Sequence, residues 1–209
     1  MGKIILISGP VKSGKTTAAE KMAKSAELNQ IAYFATQANA FNDEGMKLRI
    51  EKHQQSRPTD WITIEEYKNL PTIIKERANE FDGAIVDCIT VWATNLFFDH
   101  LPAYYAEKNK VSQFTENVDL DAFIDTFQKE DIQYFHHYLL QHTTELITSM
   151  LDSEAVFWIV TNEVGWSIIQ PTMLGRIFTD YIGQLNAYLA EHAEEVYMST
   201  MGIQWRIKP

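Results

Sequence analysis

Gly9-Pro10-Val11-Lys12-Ser13-Gly14-Lys15-Thr16 follows an apolar run ending at Ser8 and opens a segment of helical period. In that strand–loop–helix setting a G-x-x-x-x-G-K-[ST] stretch is built to cradle phosphate. Glycines let backbone N–H groups turn inward around phosphate oxygens, and the N-terminus of the next helix adds a favourable dipole. Lys15 then reaches the β- and γ-phosphates, while the Thr16 hydroxyl serves a Mg²⁺ ion bridging the same oxygens. Such a site calls for an acidic group at the end of a second apolar strand, and Ala84-Ile85-Val86-Asp87 supplies it. The competing reading makes Asp87 a cap for a helix beginning around Ile89–Thr90. The expectation is a nucleoside triphosphate on Gly9, Pro10, Val11, Lys12, Ser13, Gly14, Lys15 and Thr16, with Thr16 and Asp87 on the metal.

Outward from this stretch, short β-rich runs occupy Lys3–Ser8, Ile31–Thr36, Ala84–Cys88 and Ala155–Thr161, separated by longer segments of helical period. That alternation predicts an α/β fold with a mostly parallel, doubly wound sheet. Glu195–Thr200 and Ile203–Ile207 flank Met201-Gly202 and predict a hairpin that closes the sheet with an antiparallel edge. Pro171–His192 carries Met173, Ile177, Tyr181 and Leu185 at helical spacing, a stripe that packs on the sheet. Asp99–Asp121 is polar, mixed in charge and poor in regular apolar positions, so it reads as a long excursion from the core. A helical stretch follows to Leu151, with a break expected near Lys129–Asp131.

The chain of 209 residues is 45% hydrophobic, which suits one domain spanning 1–209. Lys plus Arg number 18 against 28 Asp plus Glu, a net charge of −10, so no general cationic surface exists to collect nucleic acid or anionic lipid. Phosphate must be held locally. Cys88 is the only cysteine, which excludes an internal disulfide framework and fits a reducing, cytoplasmic setting. The apolar start is far too short for a signal peptide or a membrane span.

P-loops serve kinases, ATPases, GTPases and transferases alike, so the reaction has to be read from other residues. In order, the chain presents Tyr33-Phe34-Ala35-Thr36, then Arg49-Ile50-Glu51-Lys52-His53-Gln54-Gln55-Ser56-Arg57-Pro58, then Trp61 and Glu65. Asp87-Cys88-Ile89-Thr90, Thr94-Asn95-Leu96, Thr161-Asn162-Glu163-Val164-Gly165 and Arg176 to Asn186 follow. This series resembles the bifunctional adenosylcobinamide kinase / adenosylcobinamide-phosphate guanylyltransferase family, with its R-I-x-x-H-x-x-x-R-P, W-x-x-x-E, [DE]-C-[IL]-T, T-N-L and T-N-E-V-G pieces in the same order. The resemblance implies a P-loop, RecA-like fold and two reactions. A nucleoside triphosphate, ATP or GTP, phosphorylates adenosylcobinamide; GTP then donates GMP to that phosphate through a guanylylated histidine, here His53. It implies nucleotide contacts at Ala35, Thr36, Gln37, Gln54, Gln55, Ser56, Arg57, Glu65 and Asp87, and a homotrimer; Trp92, Phe97 and Phe98 read equally as aromatics of its interface or as part of the core of the chain.

A neutral imidazole is a good nucleophile near pH 7 and divides one hard transfer into two easier displacements. On local pattern alone His53 reads equally as an exposed helix residue, since its neighbours are polar. Glu65 reads as a guanine or ribose acceptor or as an ordinary surface carboxylate, and Thr161-Asn162-Glu163 as a ligand loop or a helix cap. The chain departs from the family pattern at Pro10-Val11, Lys12 and Thr16, which keep the loop's donors except the N–H that proline lacks. Lys52 stands where some members carry a second histidine. Two rivals stay open: a small-molecule kinase in which His53 is idle, and a non-catalytic nucleotide-sensing module.

Overall fold

The computed structural model describes residues 1–37, 58–112, 114–115, 117–166 and 169–209. Strands β1 (Lys3–Ser8), β2 (Ile31–Ala35), β3 (Ile62–Glu65), β4 (Gly83–Asp87), β5 (Val156–Val160), β6 (Glu195–Thr200) and β7 (Ile203–Lys208) form one sheet. Its order is β3-β2-β4-β5-β1-β6-β7, parallel throughout except for the antiparallel β6–β7 hairpin. The described helices are α1 (Lys15–Ser25), α2 (Leu70–Arg77), α3 (Ile89–Lys108), α4 (Leu120–Asp125), α5 (Lys129–Leu151) and α6 (Met173–His192).

The central strands read as unbroken apolar runs because both faces are covered. Along β1, Ile4 and Leu6 join the core on one face, and Ile5 and Ile7 join the core on the other. Coverage is unequal. The Ile5/Ile7 face is packed by α1 through Ala18, Ala19 and Ala23, small side chains that let the helix sit close to the sheet. The opposite face carries the buried residues of α2 through α6, among them Ile74, Trp92, Phe135 and Leu185.

Two expectations need correction. Residues 99–108 are not an excursion: they are the second half of α3, which ends at Lys108, and only 109–119 connect it to α4. Leu101 is fully buried there, and Tyr104 and Tyr105 make edge contacts with Phe123 and Phe127. Half-buried tyrosines do this packing, and Pro102 lies inside the helix, so the usual apolar period is blurred. The interface aromatics also move inward. Trp92 and Phe97 are fully buried, Trp92 donating its indole N–H to the Lys68 carbonyl, and only Phe98 stays exposed.

The helical break lies at 126–128, just before the expected position. Gln128 caps α5, and the Asp131 carboxylate accepts from the Gln128 backbone N–H at 2.6 Å, closing a capping box. Among the described residues no helix is long and apolar enough to cross a membrane.

Candidate active site

Parallel pairing lines up the carboxyl ends of the strands. Glu65, Ala35, Asp87, Val160, Ile7 and Tyr197 share one row across β3, β2, β4, β5, β1 and β6. Ligands of open α/β sheets bind outside this edge, so the register alone brings three expected nucleotide residues, Ala35, Glu65 and Asp87, to the edge where the P-loop begins.

The loop from Gly9 to Gly14 leaves β1 and delivers Lys15 and Thr16 as the first residues of α1. Gly14 takes φ +94°, a conformation that glycine adopts without penalty. Gly9 is required by crowding: a Cβ there would lie 2.1 Å from the Ser199 carbonyl oxygen. The Lys15 ammonium is nearly buried and donates to the Pro10 carbonyl at 2.7 Å, folded back across the loop it serves. Ser8 Oγ and Ser13 Oγ are buried at the same place with no hydrogen-bond partner among the described residues.

Asp87 is not a helix cap. The residue at the start of α3 is Cys88, with no side-chain cap bond. The Asp87 Oδ2 instead accepts from Thr16 Oγ1 at 3.0 Å and from the Tyr33 hydroxyl at 2.5 Å. Adjacent oxygen ligands of Mg²⁺, with bonds of about 2.1 Å, lie roughly 3.0 Å apart. The 3.0 Å separation of Thr16 Oγ1 and Asp87 Oδ2 matches that spacing. Among the described residues no three His, Cys, Asp or Glu side chains gather to hold a metal on their own.

Behind this pair, the quoted motifs interlock. Thr36 is fully buried; its hydroxyl donates to the Cys88 carbonyl and accepts from the Cys88 N–H, both at 2.8 Å. It latches β2 to the turn carrying Asp87. The Asn95 amide donates to the Thr36 and Tyr67 carbonyls at 2.8 and 3.0 Å, tying the ends of β2 and β3 to α3. Thr161 Oγ1 donates to Asn186 Oδ1 at 2.7 Å, and the Asn186 amide donates to the Asn162 carbonyl at 3.0 Å. Thr161 has thereby spent its proton, so the Thr90 hydroxyl 3.2 Å away is the donor to it, while Thr90 Oγ1 accepts from the Asn162 N–H at 2.7 Å. Thr161-Asn162-Glu163 thus caps no helix, and the Glu163 N–H donates to the Gly9 carbonyl at 2.9 Å.

Cys88 is no nucleophile in this setting: desolvation, helped by the Asp87 carboxylate beside it, pushes its thiol up to about 12. Glu65 is exposed at the end of edge strand β3, and Gln37 follows in the coil after β2. His53, Gln54, Gln55, Ser56 and Arg57 lie outside the described residues.

Sequence reasoning missed two contributors. Tyr33 stands in the sequence as one residue of a motif; a tyrosine with a buried ring needs a partner for its hydroxyl, and that is the available signal. The β6–β7 hairpin was read only as an edge, yet the Ser199 hydroxyl and the Gly202 N–H both donate to the Ser13 carbonyl, at 2.8 and 3.0 Å. Nothing local in the sequence announces that contact.

A Lys-Thr cradle facing an acidic strand end, on a mostly parallel sheet in which β5 separates the two strands that carry them, makes this a P-loop NTPase of the RecA-like α/β type. The family model described as cobinamide kinase / cobinamide phosphate guanyltransferase matches residues 5–207. The bifunctional adenosylcobalamin biosynthesis proteins CobU of Escherichia coli and of Salmonella typhimurium are each 32% identical to this chain, over 98% of it and 99% of their own length. The bifunctional adenosylcobalamin biosynthesis protein CobP of Pseudomonas aeruginosa is 29% identical over 97% of this chain and 96% of its own length. The chain belongs to the cobinamide kinase / cobinamide phosphate guanyltransferase family and is an enzyme of that type.

Proposed function

We propose that this chain phosphorylates the aminopropanol hydroxyl of adenosylcobinamide from a nucleoside triphosphate and then joins GMP to the new phosphate, using His53 as the GMP carrier. The observation that carries the reading is the Lys15–Thr16–Asp87 cradle, set at the strand ends of a chain that the family model matches almost from end to end.

In the first step the substrate hydroxyl oxygen attacks the γ-phosphorus, its proton leaves, and the bond from γ-phosphorus to the bridging oxygen breaks, releasing the nucleoside diphosphate. The inward N–H groups of the loop and the Lys15 ammonium stabilise charge on the departing oxygens. To reach phosphate, Lys15 gives up its bond to the Pro10 carbonyl. When bound between Thr16 and Asp87, Mg²⁺ would supply further charge neutralisation at the bridging phosphates. In the second step a ring nitrogen of His53 attacks the α-phosphorus of GTP and pyrophosphate departs. An oxygen of cobinamide phosphate then attacks the same phosphorus, the P–N bond breaks, and adenosylcobinamide-GDP forms. Dividing the transfer this way replaces one difficult displacement by two easier ones.

The same reading assigns ATP and GTP as substrates, a homotrimeric assembly and a cytoplasmic location. It also takes 1–209 as one domain, and Ala35, Thr36, Gln37, Gln54, Gln55, Ser56, Arg57 and Glu65 as the surround of the nucleotide. The Thr36 hydroxyl is committed to Cys88, its N–H to the Asp87 carbonyl and its carbonyl to the Asn95 amide, so this residue serves the nucleotide by holding the strand end in place.

Incubation with GTP labelled at the α-phosphate, followed by denaturing electrophoresis, tests the assignment. Label should stay on the wild-type chain through an acid-labile, base-stable bond, as a phosphoramidate requires. His53→Ala should lose both the label and the GDP product while still phosphorylating cobinamide. Undiminished label on the alanine variant would remove His53 from the mechanism.

A further inference from the structure

We infer that Trp166 and Ile169, two exposed apolar side chains of the β5–α6 connection, are the platform on which the corrin macrocycle of the acceptor docks; this rests on the reading of the chain as a cobinamide kinase. Large apolar side chains held in water next to a reaction centre need an explanation, and these two are 66% and 85% exposed.

Their position follows from anchored backbone. The connection leaves the carboxyl end of β5 beside the cradle, where the Glu163 N–H donates to the Gly9 carbonyl at 2.9 Å. Three residues of chain span at most about 11 Å, so Trp166 lies within that reach of a residue bonded directly to the P-loop. The described backbone next to Trp166 and next to Ile169 is tied down in each case. On the near side the Gly165 N–H donates to Glu163 Oε1 at 2.7 Å, and the Asn162 N–H to Thr90 Oγ1 at 2.7 Å. On the far side the Arg176 guanidinium donates to the carbonyls of Gln170 and Pro171 at 3.1 and 2.8 Å, and the Thr172 side chain caps α6. Val11, at the tip of the P-loop itself, adds another apolar side chain that is 64% exposed.

The chemistry of the acceptor matches this placement. Its hydroxyl has to come within about 3–3.5 Å of the γ-phosphorus, so the rest of the molecule must rest on surface bordering the cradle. The rest of a corrinoid is a broad macrocycle, and its affinity must come from area contact rather than from the charged cradle that holds the nucleotide. An indole face with a flanking isoleucine provides such area at low entropic cost, because the tryptophan side chain has few rotatable bonds. The same connection thus links the two substrates: one end bonds the P-loop, and Trp166 and Ile169 meet the ring.

The test is steady-state kinase kinetics on the full chain, with cobinamide varied at saturating ATP and then ATP varied at saturating cobinamide. Trp166→Ala should raise KM for cobinamide about tenfold while kcat and KM for ATP stay within about twofold, the pattern of lost binding shared by ground and transition states. Ile169→Ser, at a still more exposed position, should raise KM for cobinamide in the same direction, and Trp166→Phe should restore most of it. The inference is overturned if KM for cobinamide is unmoved in both variants, or if KM for ATP rises in parallel. It is equally overturned if Trp166→Ala elutes as a smaller assembly, which would make this face a contact between copies. Failure of the wild-type chain to phosphorylate cobinamide at all is a separate result and sinks the kinase reading beneath it.

Discussion

At the scale of the residue, Asp87 is the hinge of the site. One of its oxygens serves two donors, the Thr16 hydroxyl and the Tyr33 hydroxyl, so the carboxylate is oriented from the phosphate side and from within the sheet. Asparagine keeps the shape and an acceptor oxygen for both donors but removes the charge. Asp87→Asn should therefore fold with a melting temperature within a few degrees of wild type and lose kinase turnover by about two to three orders of magnitude, the usual scale for removing a charge-stabilising group. Raising magnesium should recover only part of it. Turnover equal to wild type across a magnesium titration would reduce Asp87 to a structural acceptor. The residue was legible in the sequence because an acidic group ending an apolar strand is what a P-loop calls for. Its dependence on Tyr33 was not, since strand register, not proximity in sequence, brings residues 33 and 87 together.

Among the elements, the β6–β7 hairpin has a role its sequence does not advertise. Ser199 is fully buried, and its hydroxyl, with the Gly202 N–H, holds the Ser13 carbonyl in the P-loop; the Gln204 amide in turn donates to Ser199 Oγ at 3.3 Å. A loop that must present its N–H groups inward gains from having a carbonyl pinned outward. Ser199→Ala removes one of the two bonds on Ser13, at a stability cost of about 1 kcal/mol. It should weaken nucleoside triphosphate binding about three- to tenfold, measured by equilibrium dialysis on the folded variant. Unchanged nucleotide affinity alongside a lowered melting temperature would make the hairpin a scaffold only. The strands themselves were legible: β1 and β6 run over the expected residues, and β2, β4, β5 and β7 differ from expectation by a residue or so at their ends. What escaped is informative. Edge strand β3 has only four residues and one buried side chain, too little to show an alternation. The second half of α3 escaped because it packs through tyrosines rather than aliphatics. The interlocked hydroxyl and amide groups of Thr36, Thr90, Asn95, Thr161 and Asn186 appeared in the sequence as family signatures; in the structure they hold the strand ends in register.

For the whole molecule, the two ends of the chain are joined through one carboxylate. Glu195 on β6 sits opposite Ile5 of β1. It accepts from the Lys3 ammonium at 2.8 Å and from the Tyr197 hydroxyl at 2.7 Å, with the Arg206 guanidinium of β7 3.4 Å away. The hydrogen bond from Lys3, then that from Tyr197, hold its carboxyl below the ordinary carboxylate range, against the opposing effect of desolvation. A carboxyl with a lowered folded-state pKa stabilises the protein above its unfolded value, and that stabilisation is lost as pH falls through the folded one. The Lys3 ammonium, raised mainly by its hydrogen bond to Glu195, runs the other way: its contribution is complete at neutral pH and is lost only as pH rises through its folded value above the ordinary lysine range. Glu195→Gln should therefore cost about 1 kcal/mol at pH 7, a modest figure because Lys3 is 36% exposed and partly screened. The cost should stay level through mildly acidic pH and shrink toward zero as pH falls below the ordinary carboxylate range, where the wild-type carboxyl is itself being protonated. Urea unfolding of the two proteins at pH 7 and pH 3 measures the difference directly. An equal gap at both pH values would mean that Glu195 acts through packing between β6 and its neighbours and not through its charge.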